Sequence, residues 1–599
     1  MRDIRYKLFN EPNPQLGLMQ QVLLNRGIGL DEQMGWLNAG PNSMLSWKDL
    51  NDIDEHCGIG KMERAVSMVS DVISNNEDML VIVDPDCDGY NSAAIFINYF
   101  FLRYPEYTKE HIDFIMHKGK EHGLSDLCNE ILARKPKLLV SPDGASNDFE
   151  QQRILNDAGI DVLVLDHHLA ESDYTNDRTL IINVQLSKYK NKALTGGGVV
   201  YKFVSAFSEI VLGEEDPMEL VDMAAIADIG DMADYREDEI RALVNIGSRN
   251  IVNPFFSEMC EKHKYTLDKR NGVNYLSLAF AVVPFINALT RSGTPQEQEQ
   301  VFMGMLTQYA YDKVDSSKRG FGGSKVFRYE EAVMVADRVK RRQDKIVNDT
   351  FKHLEKRIED ERLTDNAVIM LLCEPDEVEA NHCGLLANKI QAKYQHPTLV
   401  LRKVKIIDSD EYVYQGSGRN FSFCPLTDMR GLCESTGLVN FAQGHQAAFG
   451  MAIREENVQS FIERTNETYS GIDFAPIYMV DYVWKPRDLT SRPNDVIELA
   501  DMDIWGQEMP QAKVAVIDIP LSANNVQLLG LAKGKPTIKI EVGGVEIMIF
   551  HASEELYDKL LTPNRSLAVV GTCSRNEWNG VVKPQIMVDD YEIMDKWIF

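Results

Sequence analysis

The sequence predicts an α/β protein: a parallel-sheet domain, a long connector helix, a smaller α/β domain and a C-terminal β-barrel. Three observations carry this. Apolar, β-branched runs at 79–83, 138–140 and 162–165 alternate with helical patterns, the order of a parallel sheet with right-handed crossovers. Residues 329–361 read as one long helix carrying Arg338, Lys340, Arg341, Arg342 and Lys345. Beyond about residue 476, short alternating runs at 514–519, 537–542, 545–550, 566–571 and 585–589 read as a small barrel.

In chain order, residues 1–60 form an N-terminal extension of short helical patterns broken by Asn, Pro and Gly. The sheet domain spans 61–327. Its first helix repeats apolar residues at helical spacing (Met62, Ala65, Val66, Val69, Val72, Ile73). Helices are expected at 92–102 and 147–158, after the first two strands. The apolar stretch 276–289 is interrupted by Pro284 and is shorter than a membrane span. Residues 315–327, rich in Ser, Gly and Lys, read as a flexible joint. The connector occupies 328–363. The second α/β domain, 364–475, has a strand at 367–372, a helix near 384–394 and a strand at 398–401. It carries Gly416-Ser417-Gly418-Arg419-Asn420 and closes with Gly444-His445-Gln446-Ala447-Ala448. The barrel takes 476–599, with Tyr478, Tyr482, Trp505 and Trp578 as candidate base-stacking platforms.

A chain of 599 residues is long enough for three or four domains at roughly 150 residues each. A composition 44% hydrophobic and 26% charged is that of a soluble protein. The net charge of −28 argues against a protein that coats duplex DNA regardless of sequence. A locally basic channel, or bound cations, would still admit nucleic acid. Nine cysteines without a C-x-x-C pair provide neither a disulfide framework nor a zinc ribbon and fit a reducing cytoplasm. Residues 1–20 lack the apolar core of a signal peptide, and no membrane association is expected.

The chemistry lies where the apolar runs end. Asp84-Pro85-Asp86-Cys87-Asp88-Gly89, Ser141-Pro142-Asp143-Gly144 and Asp166-His167-His168 each follow a strand. In open α/β sheets ligands bind beyond the carboxyl ends of the strands. Carboxylates and imidazoles there are costly to desolvate unless paired or metal-bound. Mixed Asp/His donors suit Mn²⁺ or Mg²⁺ better than a structural zinc. A calcium loop would need a Glu where Ile95 stands. A fourth cluster, Asp222, Asp228, Asp231 and Asp234, lies on a small-residue helix and its end. Paired divalent metals hydrolysing a phosphate ester are the expectation.

In this order the motifs resemble those of the DHH phosphoesterase superfamily, and within it the RecJ-like single-strand-specific exonucleases. The segments 194–202 (Leu-Thr-Gly-Gly-Gly) and 284–291 (Pro-x-x-Asn-Ala-x-x-Arg) extend the likeness. Gly416 to Arg419 and Gly444 to Ala448 resemble the DHHA1 signature, and the closing β module stands where the family has an OB-fold. The resemblance implies two Mn²⁺ or Mg²⁺ ions held by Asp86, Asp88, Asp143, Asp166, His167 and Asp231, with Asp166 bridging and Asp84 a further acid. It implies His168, Asp166 and Arg291 as catalytic residues, with His168 touching the phosphate. Asn287, Arg291, Ser417, Gly418, Arg419, Gly444 and His445 would bind substrate, the amides at 416–418 included. The implied activity is 5′→3′ hydrolysis of single-stranded DNA to 5′-mononucleotides in DNA repair and recombination. A cytoplasmic monomer would carry it out, with a single-strand-binding protein or helicase as partner. Two departures stand out: Ile82 replaces a usual His, and Asp143-Gly144-Ala145 replaces the common Asp-x-Gly. The second fits a phage or prophage version. The alternatives are a small-substrate phosphodiesterase acting on nano-RNA or cyclic dinucleotides, and a catalytically inactive replication subunit that binds DNA.

Overall fold

The computed structural model describes residues 5–595 except 118, 120–121, 319, 321–322, 407–410, 470–471 and 579, and excludes the side chains of Lys533 and Trp578. Two compact units emerge. One contains 34–343 and 503–510; the other contains 1–33, 344–502 and 511–599. The N-terminal stretch therefore joins the unit that holds the later sheets. There β1 (Arg5–Leu8) pairs in parallel with residues 477–480.

The unit 34–343 is built on a five-stranded parallel sheet. Its strands are β2 (Met79–Val83), β3 (Ile112–Met116), β4 (Leu138–Pro142), β5 (Asp161–Asp166) and β6 (Thr179–Asn183), in the order β3-β2-β4-β5-β6. β2 and β4 are buried throughout, as expected of strands covered on both faces. The helix Lys61–Ser74 turns Met62, Ala65, Val66, Val69 and Val72 inward. The helix Cys87–Arg103 starts five residues earlier than expected, because Asp86 caps it by accepting the Gly89 amide at 2.9 Å. This early start draws Asp88 into the first turn. The apolar stretch divides into helices Tyr275–Ala281 and Val283–Ser292 at Val282. The expected joint carries a short antiparallel pair, β7 (Lys313–Asp315) with β8 (Lys325–Phe327), while 319 and 321–322 lie outside the described residues. The long helix forms as Arg328–Asp360.

In the other unit, β9 (Ile369–Cys373), β10 (Thr398–Lys405), β11 (Tyr412–Arg419), β12 (Val439–His445) and β13 (Ala448–Arg454) form a mixed sheet, ordered β12-β13-β11-β10-β9. After β14 (Ile477–Val480), a seven-stranded sheet follows: β15 (Tyr482–Trp484), β16 (Lys513–Pro520), β17 (Val526–Leu529), β18 (Thr537–Val542), β19 (Val545–Phe550), β20 (Arg565–Trp578) and β21 (Val581–Asp595). A buried ion pair, Arg26 to both oxygens of Asp481 at 2.8 and 3.0 Å, ties residues 1–33 to this unit. Of the four candidate platforms, three take the core role that is the commoner one for such aromatics. Tyr478, Tyr482 and Trp505 are buried in the core, and the Trp578 side chain lies outside the described residues.

Candidate metal centre

Register assembles the site. Val83 on β2 is level with Met116 on β3, and Pro142 on β4 is level with Leu165 on β5. Asp84, Asp143 and Asp166 therefore meet at one end of the sheet. Asp143 enters the left-handed region at φ +60°, and Ala145 follows at +77°. A left-handed conformation costs a non-glycine residue about 1–2 kcal/mol, a cost that glycine at position 145 would remove. The triglycine segment has a structural role here. The amides of Gly196 and Gly197, at the start of the helix Gly196–Phe207, donate to Asp88 at 2.8 and 2.7 Å. A Cβ on Gly196 would stand 2.6 Å from Asp143, and one on Gly197 would stand 2.4 Å from Ala227.

Three groups place donor atoms within 4.8 Å of one another: Asp84, Asp86 and Asp143; Asp88, His167 and Asp231; Asp143, His167 and His168. His167 Nε2 lies 3.2 Å from Asp143, 3.5 Å from Asp88 and 3.7 Å from Asp231. Among the described residues, His167 Nε2 and both oxygens of Asp143 are buried without a hydrogen-bond partner. Such atoms cost about 1–3 kcal/mol each when left unsatisfied. Crowded like charges add to the strain. Burial and then Asp88, Asp86, Asp84 and Asp231 hold the Asp143 carboxyl well above its ordinary value. Burial, Asp84 and Asp88 push Asp86 up to about 6. Asp231 rises to about 8 through lost hydration and the Asp88 and Asp86 charges, although 40% of its side chain stays exposed. Unpaired oxygens and an imidazole nitrogen converging on one point fit divalent cations well.

Two expectations need correction. Asp166 enters none of the three donor groups. Its Oδ1 accepts the amides of His167 and His168 and the His168 ring at 2.7, 3.1 and 2.9 Å, and its Oδ2 accepts the Ser146 amide at 3.2 Å. Asp143 is the acid common to two donor groups. Against the cost of burial, the His168 hydrogen bond and charge hold Asp166 well below the usual carboxylate range. The same bond pushes His168 up to about 9. Nor do the amides at 416–418 form a phosphate cradle. β11 is a central strand paired on both sides. A Cβ on Gly416 would meet the Val400 carbonyl at 2.1 Å, and one on Gly418 would meet the Phe449 ring at 2.5 Å.

The other expected residues fall as follows. Of the acidic helix, Asp231 reaches His167, whereas Asp228 bonds Thr195 at 2.9 Å, Asp222 accepts the Val252 and Asn253 amides, and Asp234 pairs with Arg236. Arg291 is exposed at the end of the helix Val283–Ser292, within electrostatic reach of Asp86, and Asn287 is half-buried one turn earlier. Ser417 and Arg419 lie against the start of the helix Cys383–Tyr394. A Cβ on Gly384 would stand 3.0 Å from the Arg419 guanidinium and 3.4 Å from Ser417 Oγ. His445 is exposed at the end of β12, and Gly444, at φ +125°, directs its carbonyl to Arg430. Sequence reasoning missed His117 and His122, which flank Asp84 at 3.8 and 2.6 Å. No strand was expected at 112–116, and only the register of β3 beside β2 brings its following residues to Asp84.

The DHH family, N-terminal domain, matches residues 78–228, and the RecJ OB domain matches residues 480–590. Over 597 residues the chain is 28% identical to a protein of Bacillus subtilis (strain 168) named as the SPbeta prophage-derived single-strand DNA-specific exonuclease YorK, covering 99% of this chain and 98% of that one. It is 24% identical to the single-stranded-DNA-specific exonuclease RecJ of the same organism, covering 90% of this chain and 64% of that one. The crystal structure of Thermus thermophilus RecJ with Mn²⁺ superposes with a TM-score of 0.69 at 20% identity, covering 99% of this chain and 80% of that one. The chain therefore carries a DHH-family N-terminal domain at 78–228 and a RecJ OB domain at 480–590, and over its length it is similar to the RecJ-like single-strand DNA exonucleases.

Proposed function

We propose that this protein is a divalent-metal-dependent exonuclease that degrades single-stranded DNA from the 5′ end to 5′-mononucleotides. One observation supports the reading above all: partnerless buried donors from separate strand ends converge on a single point. Asp84, Asp86, Asp88, Asp143, His167 and Asp231 would hold two Mn²⁺ or Mg²⁺ ions. Held by these residues, such ions would supply charge neutralisation at a phosphate and a lowered pKa for a bound water.

The protein's own groups do the rest. Asp166 fixes the His168 ring through Nδ1, which leaves the imidazole, over half exposed, to donate Nε2–H to a phosphate bound at the centre. Arg291 adds positive charge on the Asp86 side. Ser417 and Arg419, at a helix N-terminus, are candidate contacts to a terminal phosphate. The OB domain supplies a module suited to single-stranded nucleic acid. A donor set that lacks only the imidazole at position 82 favours catalysis over an inert binding subunit.

The test is a time course on 5′-phosphorylated, end-labelled single-stranded and duplex DNA with Mn²⁺, Mg²⁺ or EDTA. Mononucleotides should accumulate from the single strand alone and disappear with EDTA or in Asp143→Ala. Cleavage restricted to dinucleotides would favour the small-substrate reading. DNA binding without any hydrolysis would favour the binding subunit.

A further inference from the structure

The strand-end motifs leave one buried donor of the centre unassigned. His117 immediately follows β3, whose Met116 is level with Val83, so it stands beside Asp84. Its side chain is 0% exposed. Nδ1 lies 3.0 and 3.1 Å from the two oxygens of Asp126. A carboxylate only accepts, so in the neutral ring the proton sits on Nδ1 and Nε2 carries the lone pair. That Nε2 has no hydrogen-bond partner among the described residues. It faces Asp84 Oδ1 at 3.8 Å, too far for a hydrogen bond. The separation is short enough for both atoms to reach one ion, each about 2.0–2.2 Å from the metal. Asp84 shares a donor group with Asp86 and Asp143, and His117 approaches that group through Asp84 alone.

The sheet also explains why a donor is needed here. Ile82, at the position where the family usually has histidine, lies in the apolar core with Leu80, Ile115 and Leu139 and offers no ligand atom. We propose that His117, oriented by Asp126, is the imidazole ligand of the cation held by Asp84, Asp86 and Asp143, replacing from the neighbouring strand the donor absent at position 82. The carboxylate–imidazole–metal chain is a recurring device that fixes the tautomer and the ring. His122, hydrogen-bonded to Asp84 Oδ2 at 2.6 Å and over half exposed, is a positioning residue for the other Asp84 oxygen. This inference rests on the metal-centre reading.

The test uses full-length, metal-free protein without DNA. Mn²⁺ binding is measured by calorimetry, and nitrogen coupling to bound Mn²⁺ by pulsed electron paramagnetic resonance. Wild type should bind two ions. His117→Ala should weaken one of them by about 100-fold and reduce the nitrogen coupling, leaving the other ion near its wild-type affinity. Asp126→Asn should weaken the same ion by about 10–100-fold. If the Ala variant does not fold, His117→Gln is read instead, with the same expected loss. Two wild-type affinities and unchanged coupling in folded His117→Gln and Asp126→Asn would overturn the role of His117 while leaving the centre intact. Wild type that binds no Mn²⁺ would overturn both readings.

Discussion

Replacing Asp86 by Asn should reverse the stability ranking of mutant and wild type according to whether metal is present. Asp86 caps the helix Cys87–Arg103 through the Gly89 amide, and Asn caps as well as Asp, so the local structure survives. The charge does not. Burial and the neighbouring Asp84 and Asp88 raise this carboxyl from 3.8 to about 6, a displacement worth about 3 kcal/mol. Asp86 is only half-buried, and solvent screening leaves about 2 kcal/mol. A group that binds its proton more tightly when folded weakens the fold as pH rises from its unfolded to its folded value. The mutant's advantage in EDTA should therefore be absent below pH 3.8, develop up to pH 6 and be complete by pH 8. With Mn²⁺ at about 100 times its dissociation constant, wild type gains about 2.7 kcal/mol per ion and Asp86→Asn loses most of that gain. Urea unfolding at pH 8 with EDTA and with Mn²⁺ measures both. A natively folded Asp86→Asn that is less stable than wild type in EDTA, or that gains equally from Mn²⁺, would refute the reasoning.

Four further outcomes are expected. Asp222, fully buried, is pushed up to about 6 mainly by burial, so it weakens the fold as pH climbs from about 4 to 6. The stability difference between Asp222→Asn and wild type in EDTA should grow by up to about 3 kcal/mol between pH 4 and 7, and a flat difference across that range would contradict this. Arg26→Met strands the buried Asp481 carboxylate and should cost about 3–5 kcal/mol, much of it recovered by adding Asp481→Leu, as read from urea midpoints. Gly418→Ala forces a methyl against Phe449 and should cost about 1–3 kcal/mol of thermal stability. Ser417→Ala should leave the melting temperature unchanged and weaken binding of 5′-phosphorylated single strands.

Much of the fold can be read along the chain, because its signals are periodic and local. Continuous apolar runs mark β2, β4 and β5 as buried strands, and the long charged period marks the helix Arg328–Asp360. The acids and histidines at the strand ends are legible for the same reason. Other features depended on contacts between distant residues. Nothing near Arg26 announces Asp481, 455 residues away, and residues 1–33 are assigned to their unit only by that pair and by the pairing of β1 with β14. The start of the helix Cys87–Arg103 was hidden because Cys-Asp-Gly resembles a turn until Asp86 is seen to cap it.

At the centre the division is sharper. Chain order alone identifies which groups carry oxygen and nitrogen donors and which strand ends present them. Three-dimensional packing decides where each lone pair points. Four donors engage Asp166, while Asp143 is left with none. Register across the sheet brings His117 beside Asp84 although 33 positions separate them. Strand patterns report the burial of a residue, but the direction of a side chain is set by neighbours that become adjacent only on folding.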